Sequence, residues 1–356
     1  MKNLRNQFPI LEHTTYLNTA ASGIFYESLI AYRHELEADL ARLGSGLRDR
    51  DPNFFTEVAD TIASFTGNQN GETVLASNFS TGLHQLLEGI PKSKTMLLLE
   101  GDYPSLLFAV ESRGFTTITC PSSTHPEDAL YQIIRDKHPD FLLISKVQYT
   151  TGIMISEDFF QTIKKEFPDL IIIVDGTQFI GTEPFNFNTS AIDVLGCSGY
   201  KWLLSGYGNG FFLMKKEISN ILIPEIYKKA GLHSPFDASY TSMQAYFAPG
   251  HLDILAFGSL QYSLRFLSEI GLETIQTRVQ DIVQYAKLQF EAMGILRTPA
   301  IQTKPSSPIL SISGDISLYN KLKSNAIITS LRGEGLRISC HFYTTKDDID
   351  RCLSFV

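Results

Sequence analysis

The sequence predicts an α/β fold: a three-layer α/β/α large domain around a mostly parallel sheet, followed by a smaller C-terminal α+β domain. Three observations lead there. Short runs that are apolar throughout alternate with longer amphipathic segments up to about Pro249. Uninterrupted apolar runs suit strands covered on both faces, and the alternation suits helices crossing between parallel strands. Beyond Pro249 long helical patterning takes over, and 356 residues is about two domains' worth of chain.

The expected buried strands, in order, are Thr73 to Ala76, Thr95 to Leu99, Thr116 to Thr119, Phe141 to Ile144, Leu170 to Val174, Val194 to Gly196 and Gly210 to Met214. Helical periodicity covers Tyr26 to Arg42, Asn53 to Phe65, Gly82 to Glu88, Pro104 to Ser112, Pro126 to Lys137 and Ser156 to Phe167. From Leu252 to Met293 the chain reads as helix broken at Gly271. Two strands follow, Ile309 to Ile312 and Leu336 to Ser339, then a helix from Thr345. Residues 14–250 are read as the large domain and 251–356 as the small one, with residues 1–13 packed on the latter. No internal repeat or low-complexity tract interrupts this order.

Hydrophobic residues make up 43% of the chain and charged residues 19%, enough for a sizeable core. A net charge of −8 gives no sequence-wide attraction to nucleic acid or to an anionic membrane. The apolar runs are too short to span a bilayer. Four cysteines, at 120, 197, 340 and 352, form no CxxC and no metal-ligand spacing. The expectation is a cytoplasmic protein with reduced thiols, no metal and no secretion signal.

Several polar signals sit where strands end. Asp175 closes the run Leu170 to Val174, and Lys201 follows 26 positions later in the turn Ser198-Gly199-Tyr200-Lys201-Trp202. An acid at the end of a buried strand is costly to leave unpaired. With a lysine in a small-residue turn it makes the pattern of a pyridoxal phosphate site. Lys201 would hold the aldehyde as a Schiff base, and Asp175 would keep the pyridine nitrogen protonated. A helix cap or a salt bridge is the ordinary alternative for Asp175, and a surface position for Lys201.

Asn78-Phe79-Ser80-Thr81-Gly82 opens a helix after a strand, which suits a phosphate and equally suits a plain N-cap. Glu100 to Ser105 follows another strand, and Tyr103 in it is a candidate to stack on an aromatic cofactor or to pack in a proline turn. Gln148-Tyr149-Thr150-Thr151-Gly152 offers polar groups to a ring hydroxyl, or simply turns the chain. Gly206 to Gly210 leads into a strand and is not a dinucleotide fingerprint. Arg337 opens a C-terminal strand and presents a planar fork suited to a carboxylate, or to a structural ion pair.

From Tyr16-Leu17-Asn18-Thr19-Ala20-Ala21-Ser22-Gly23 to Arg337-Ile338-Ser339-Cys340-His341-Phe342-Tyr343, the chain resembles the class V aminotransferases of fold type I, the pyridoxal phosphate group that includes cysteine desulfurases and kynureninase-like lyases. The resemblance implies Lys201 as the Schiff-base lysine, Asp175 at the pyridine nitrogen and Gln178 at the ring oxygen. It places Phe79 (through its backbone), Ser80, Thr81, Ser198 and Tyr200 at the phosphate, Tyr103 over the ring, Gln148 beside it and Arg337 at the substrate α-carboxylate. A homodimer is implied, with His251 and the segment Ser239 to Phe247 reaching the neighbour's site. Tyr103 stands where desulfurases carry a histidine, and Ser324 to Gly335 lacks their loop cysteine.

The expected activity is therefore transamination between an amino acid and a 2-keto acid, with a lyase, an epimerase or a desulfurase as rivals on the same site. Ser198-Gly199-Tyr200-Lys201 also reads as the S-x-x-K of a serine hydrolase, but the partner motifs S-D-N and K-T-G are missing. Arg332, Arg48 and Arg50 are candidates for a second anion site serving a dicarboxylate or phosphorylated amino acid; surface arginines are also common.

Overall fold

The computed structural model describes residues 2–222, 242–297 and 306–356. Its centre is a seven-stranded sheet built from β2 (Glu72–Ala76), β3 (Thr95–Leu99), β4 (Thr116–Cys120), β5 (Phe141–Ser145), β6 (Ile171–Asp175), β7 (Val194–Ser198) and β8 (Gly210–Met214). The spatial order is β2-β8-β7-β6-β5-β3-β4. Pairs from β7 through β4 are parallel, while β8 runs antiparallel to both β2 and β7. The sheet is thus mostly parallel, as its apolar runs predict; the reversed β8 was not anticipated.

Alternate residues of each strand enter two separate cores. Leu97, Leu99, Leu142, Ile144, Ile172, Val174 and Leu195 face one. Met96, Leu98, Phe141, Leu143, Ile173, Val194 and Phe212 face the other. A strand buried on both faces has no polar side to display, which explains its unbroken apolar sequence. Edge strand β4 is exposed at Thr116, Thr117 and Thr119. Close packing of helix Phe79–Glu88 on the sheet depends on Gly196, where a Cβ would press into the rings of Phe212 and Phe79. Those two rings stack at 5.6 Å, worth about 1 kcal/mol beyond their burial.

Helices Ile254–Ile270 and Leu272–Ala292 are separated at Gly271, whose φ of 85° stops the first. Asp253 caps the first by accepting from the N–H groups of Leu255 and Ala256. A three-stranded antiparallel sheet, in the order β11-β12-β9, joins β9 (Ile309–Ile312), β11 (Ser330–Arg332) and β12 (Gly335–Ser339). Two short strands, β1 (Thr15–Tyr16) and β10 (Ile327–Ile328), pair in parallel. Thr345 caps the final helix, Lys346–Leu353, in a reciprocal capping box with Asp348. The N-terminal segment is held against this region: Arg5 pairs with Asp348 at 2.8 Å, and Phe8 packs on Phe342 and Tyr343. No described helix is long and apolar enough to cross a membrane.

Candidate active site

In a parallel sheet the loops leaving the carboxyl ends of the strands converge on one crevice. Here β2 leads into Ser80, β3 into Tyr103, β5 into Tyr149, β6 ends on Asp175 and β7 leads into Ser198 and Lys201. These residues line a single cavity of about 290 Å³, near the lower end of small-ligand sites, about 300 Å³ upward.

Asp175 is buried at the floor and accepts a hydrogen bond from the Thr177 N–H at 2.8 Å. Burial pushes its carboxyl up to about 6, against the opposing pull of Thr177 and the Lys201 charge. Lys201 is only 5% exposed. Burial brings its ammonium down to about 8; Asp175 resists that shift, and the nearby charge of Arg337 adds to it. Each group would be ordinary in water. Sequestered together, they are held close to neutrality, where a proton can be gained or lost.

Aromatic rings form the walls. The Lys201 Nζ lies 5.3 Å from the Tyr103 ring centroid and 5.4 Å from that of Tyr200. Tyr149 meets Tyr103 edge-on at 5.2 Å, and Tyr207 stacks on Tyr200 at 4.9 Å. Tyr103 is aimed by the buried Asp102. One carboxylate oxygen of Asp102 accepts from the Tyr103 N–H and the Ser145 hydroxyl, the other from the Ser145 N–H.

At the opposite end, the Phe79 N–H donates to the Ser198 hydroxyl at 2.8 Å, and the Ser80 and Ser105 hydroxyls are hydrogen-bonded at 2.6 Å. A helix N-terminus ringed by hydroxyls suits a phosphate. These groups fit pyridoxal phosphate: an amine for the aldehyde, a buried acid for the ring nitrogen, and donors for the phosphate.

The turn bearing Lys201 is braced on all sides. The Gly23 N–H donates to the Tyr200 carbonyl at 2.7 Å. Gln178 donates to the Ala20 carbonyl and accepts from the Trp202 indole. The buried His341 accepts from the Phe342 N–H at Nδ1, so its Nε2 carries the proton and donates to the Trp202 carbonyl at 3.0 Å. Burial holds His341 down at about 4, neutral at physiological pH.

Of the residues singled out from sequence, Phe79, Ser80, Tyr103, Asp175, Gln178, Ser198, Tyr200 and Lys201 line the cavity together. Four do not. The Thr81 N–H is turned into Asn78, which caps the helix and lines the cavity in its place. Gln148 is buried and does not line the cavity, and its neighbour Tyr149 supplies the wall. Arg337 stands behind Tyr149 and donates to that residue's carbonyl at 2.8 Å. His251 is exposed and bonded to Arg48, outside this chain's cavity. Of the segment Ser239 to Phe247, residues 239–241 lie outside the described residues. Among the wall and floor groups, Thr177, Tyr207 and Ser145 carried no signal in the sequence. The Thr177 hydroxyl accepts from the Ser198 N–H and so ties the acid's strand to the lysine's.

The family model described as Aminotransferase class-V matches residues 84–352. An uncharacterized aminotransferase, YcbU of Bacillus subtilis (strain 168), is 22% identical over 97% of this chain and 94% of its own. Isopenicillin N epimerase of Streptomyces clavuligerus is 21% identical over 94% of this chain and 92% of its own. Among solved structures, the cystine C-S lyase C-DES bound to its product cysteine persulfide superposes with a TM-score of 0.87 at 17% identity, covering 98% of each chain.

Proposed function

The chain belongs to the class-V aminotransferase family and is an enzyme of the pyridoxal phosphate type; from that premise we propose that it transfers an amino group from an amino acid to a 2-keto acid at Lys201. The observation that carries this reading is the buried pair of Lys201 and Asp175 in one cavity with the hydroxyl-lined helix end.

When bound, the cofactor supplies an electron sink for the bond broken at the substrate α-carbon. The chain's own groups do the rest. Lys201 Nζ is the amine that would condense with the cofactor's aldehyde. Once freed, Lys201 Nζ would accept the substrate's α-proton, hold it as the ammonium and later give it back; an amine brought down to about 8 can do both near neutral pH. Asp175 would hold the pyridine nitrogen protonated, and Tyr103 would cover the ring. Ser80, Ser198, Tyr200 and the Phe79 N–H would hold the phosphate. Gln178 is read as a brace acting through Trp202 and Ala20, since both ends of its amide are engaged there. Arg337 would take the α-carboxylate. Its guanidinium is buried, and its Nε has no partner among the described residues, a donor left for substrate.

We read residues 14–250 as the cofactor-binding domain and 251–356 as the smaller one. We read the protein as a cytoplasmic homodimer in which His251 serves the neighbour's phosphate, a reading supported by its position outside its own cavity. A second reading, a lyase or epimerase on the same groups, is favoured by the likeness to C-DES and to isopenicillin N epimerase.

Absorbance separates the two. A transaminase incubated with its amino donor alone accumulates the aminated cofactor and releases one keto acid per site. A lyase or epimerase leaves the cofactor spectrum unchanged while product forms. K201A abolishes borohydride-fixed cofactor in either case.

A further inference from the structure

Two arginines share one face of the small antiparallel sheet. In the β11–β12 ladder Ser330 lies opposite Arg337, and Arg332 opposite Gly335. Directly opposed residues point the same way, and so do residues two apart. Ser330, Arg332, Arg337 and Ser339 therefore project together, while Leu331, Leu336 and Ile338 pack into the core on the other side.

That shared face packs on the N-terminal segment and, at Arg337, on the cavity-wall residue Tyr149. Ser330 donates to the Asn18 side chain at 2.6 Å, Ser339 accepts from the Ala20 N–H, and Arg337 donates to the Tyr149 carbonyl. Arg332 and Arg337 are diagonal neighbours, about 7–8 Å apart at the backbone and within reach of long side chains.

No acid among the described residues pairs with either guanidinium. Among the described residues, the hydrogen bond of the Arg332 guanidinium is to the carbonyl of Leu331. The one acid in the hairpin, Glu334, is held by Arg297 at 3.0 Å. Two like charges on neighbouring strands repel, and an anion held between them would relieve that repulsion. Their mutual repulsion is visible at Arg337, brought down to about 10 by burial first and by Arg332 next. Arg332 is also felt at Lys201. Arg332 is exposed at the outer end of the face it shares with Arg337, where a long side chain could meet the far end of a substrate held by Arg337.

We propose that Arg332 and Arg337 form a two-anion site, so that the substrate is a dianionic amino acid or keto acid, its α-carboxylate on Arg337 and a side-chain carboxylate or phosphate on Arg332. The inference rests on the transaminase reading for the role of Arg337, and on the ladder geometry for Arg332. Lysine at position 332 would supply the charge without the planar fork that grips a carboxylate at two points.

The test uses isosteric pairs on the cofactor-loaded enzyme: aspartate against asparagine, glutamate against glutamine, and O-phosphoserine against serine. The anionic member of at least one pair is expected to lead in kcat/KM by about 10- to 100-fold, the worth of a charged hydrogen-bonded pair. R332Q is expected to collapse that ratio, chiefly through KM. The leading pair tells carboxylate from phosphate. A second readout needs no turnover: succinate or glutarate should raise the melting temperature of the loaded protein more than butyrate does, and R332Q should erase the difference. Unchanged ratios together with an unchanged melting difference in R332Q overturn the proposal. If no amino acid turns over yet R332Q removes the dicarboxylate increment, the transaminase reading falls and the anion site stands.

Discussion

Replacing Asp175 by Asn should stabilise the cofactor-free protein while weakening its hold on the cofactor. Burial raises the Asp175 carboxyl from its ordinary 3.8 to about 6. The folded state therefore binds a proton more tightly than the unfolded chain does. That contribution is fully present below about pH 3.8 and is lost as pH rises through about 6. The displacement amounts to about 3 kcal/mol in all. By the linkage relation, about 1.3 kcal/mol of it disappears between about pH 5 and about pH 7.5. Asn cannot ionise, so D175N should lack this loss. Lys201 has its own transition at about 8 and is held up by Asp175; in D175N it sheds its proton sooner, which adds to the difference in the same direction and makes this figure a lower bound.

Urea unfolding of both cofactor-free proteins at the two pH values measures it. Wild type should lose at least about 1.3 kcal/mol relative to D175N on going from acid to neutral. Adding cofactor should reverse the ranking, because a protonated ring nitrogen compensates a buried carboxylate and not an amide. Parallel pH dependence of the two proteins would show that Asp175 is not sequestered, and the assignment of its partner would fall with it.

Three further outcomes are expected. The rate of cofactor incorporation into the empty protein should rise with pH along a curve centred at about 8, tracking the free amine of Lys201; stopped-flow absorbance reads it, and a midpoint above 10 would place the lysine in water. G23A should cost about 1–3 kcal/mol of stability and lower kcat by more than tenfold, since a Cβ at Gly23 collides with the carbonyl oxygen of Lys201. A thermal melt and a kcat measurement on the same preparation check both effects. All four cysteines are buried, and burial raises their thiols. A thiol reagent should therefore label none in the folded protein and four in urea, and C340S should retain transamination.

What could be read in advance followed from burial. Strands covered on two faces must be apolar throughout, so β3, β5 and β6 stood out. Direction leaves no trace in composition, so the reversal of β8 did not. The paired dipeptides Thr15–Tyr16 and Ile327–Ile328 are too short for any periodicity, and β11 mixes Ser, Leu and Arg. Lys201 and Asp175 were legible because a charge beside an apolar run demands a partner. The choice between Gln148 and Tyr149 was not. In extended chain a one-residue difference swaps faces, and contacts such as the isolated bridge from Val147 to Met154 and the bond from the Gln148 N–H to the Ile153 carbonyl set which side chain enters the cavity.

The superposition on C-DES extends over nearly the whole chain, yet at 17% identity it speaks for the fold. Within a shared fold, reaction outcome is decided by a few groups at the site. Desulfurases present a thiol on a loop before the carboxylate arginine. In this chain the corresponding stretch is spent on strand pairing: Arg332 is in register with Gly335, leaving Gly333 and Glu334 as the entire turn. Gly333 has the positive φ that such a turn requires, 56°. A two-residue turn gives a nucleophile no freedom to swing over the cavity. Cys340, just past the end of β12, is fully buried with its thiol pushed up by that burial, which leaves it protonated and inert. What the short hairpin carries at that place is Arg332, directly before the turn. On the proposed two-anion reading, that cation would orient a substrate without accepting sulfur, which favours transfer over desulfuration at this site.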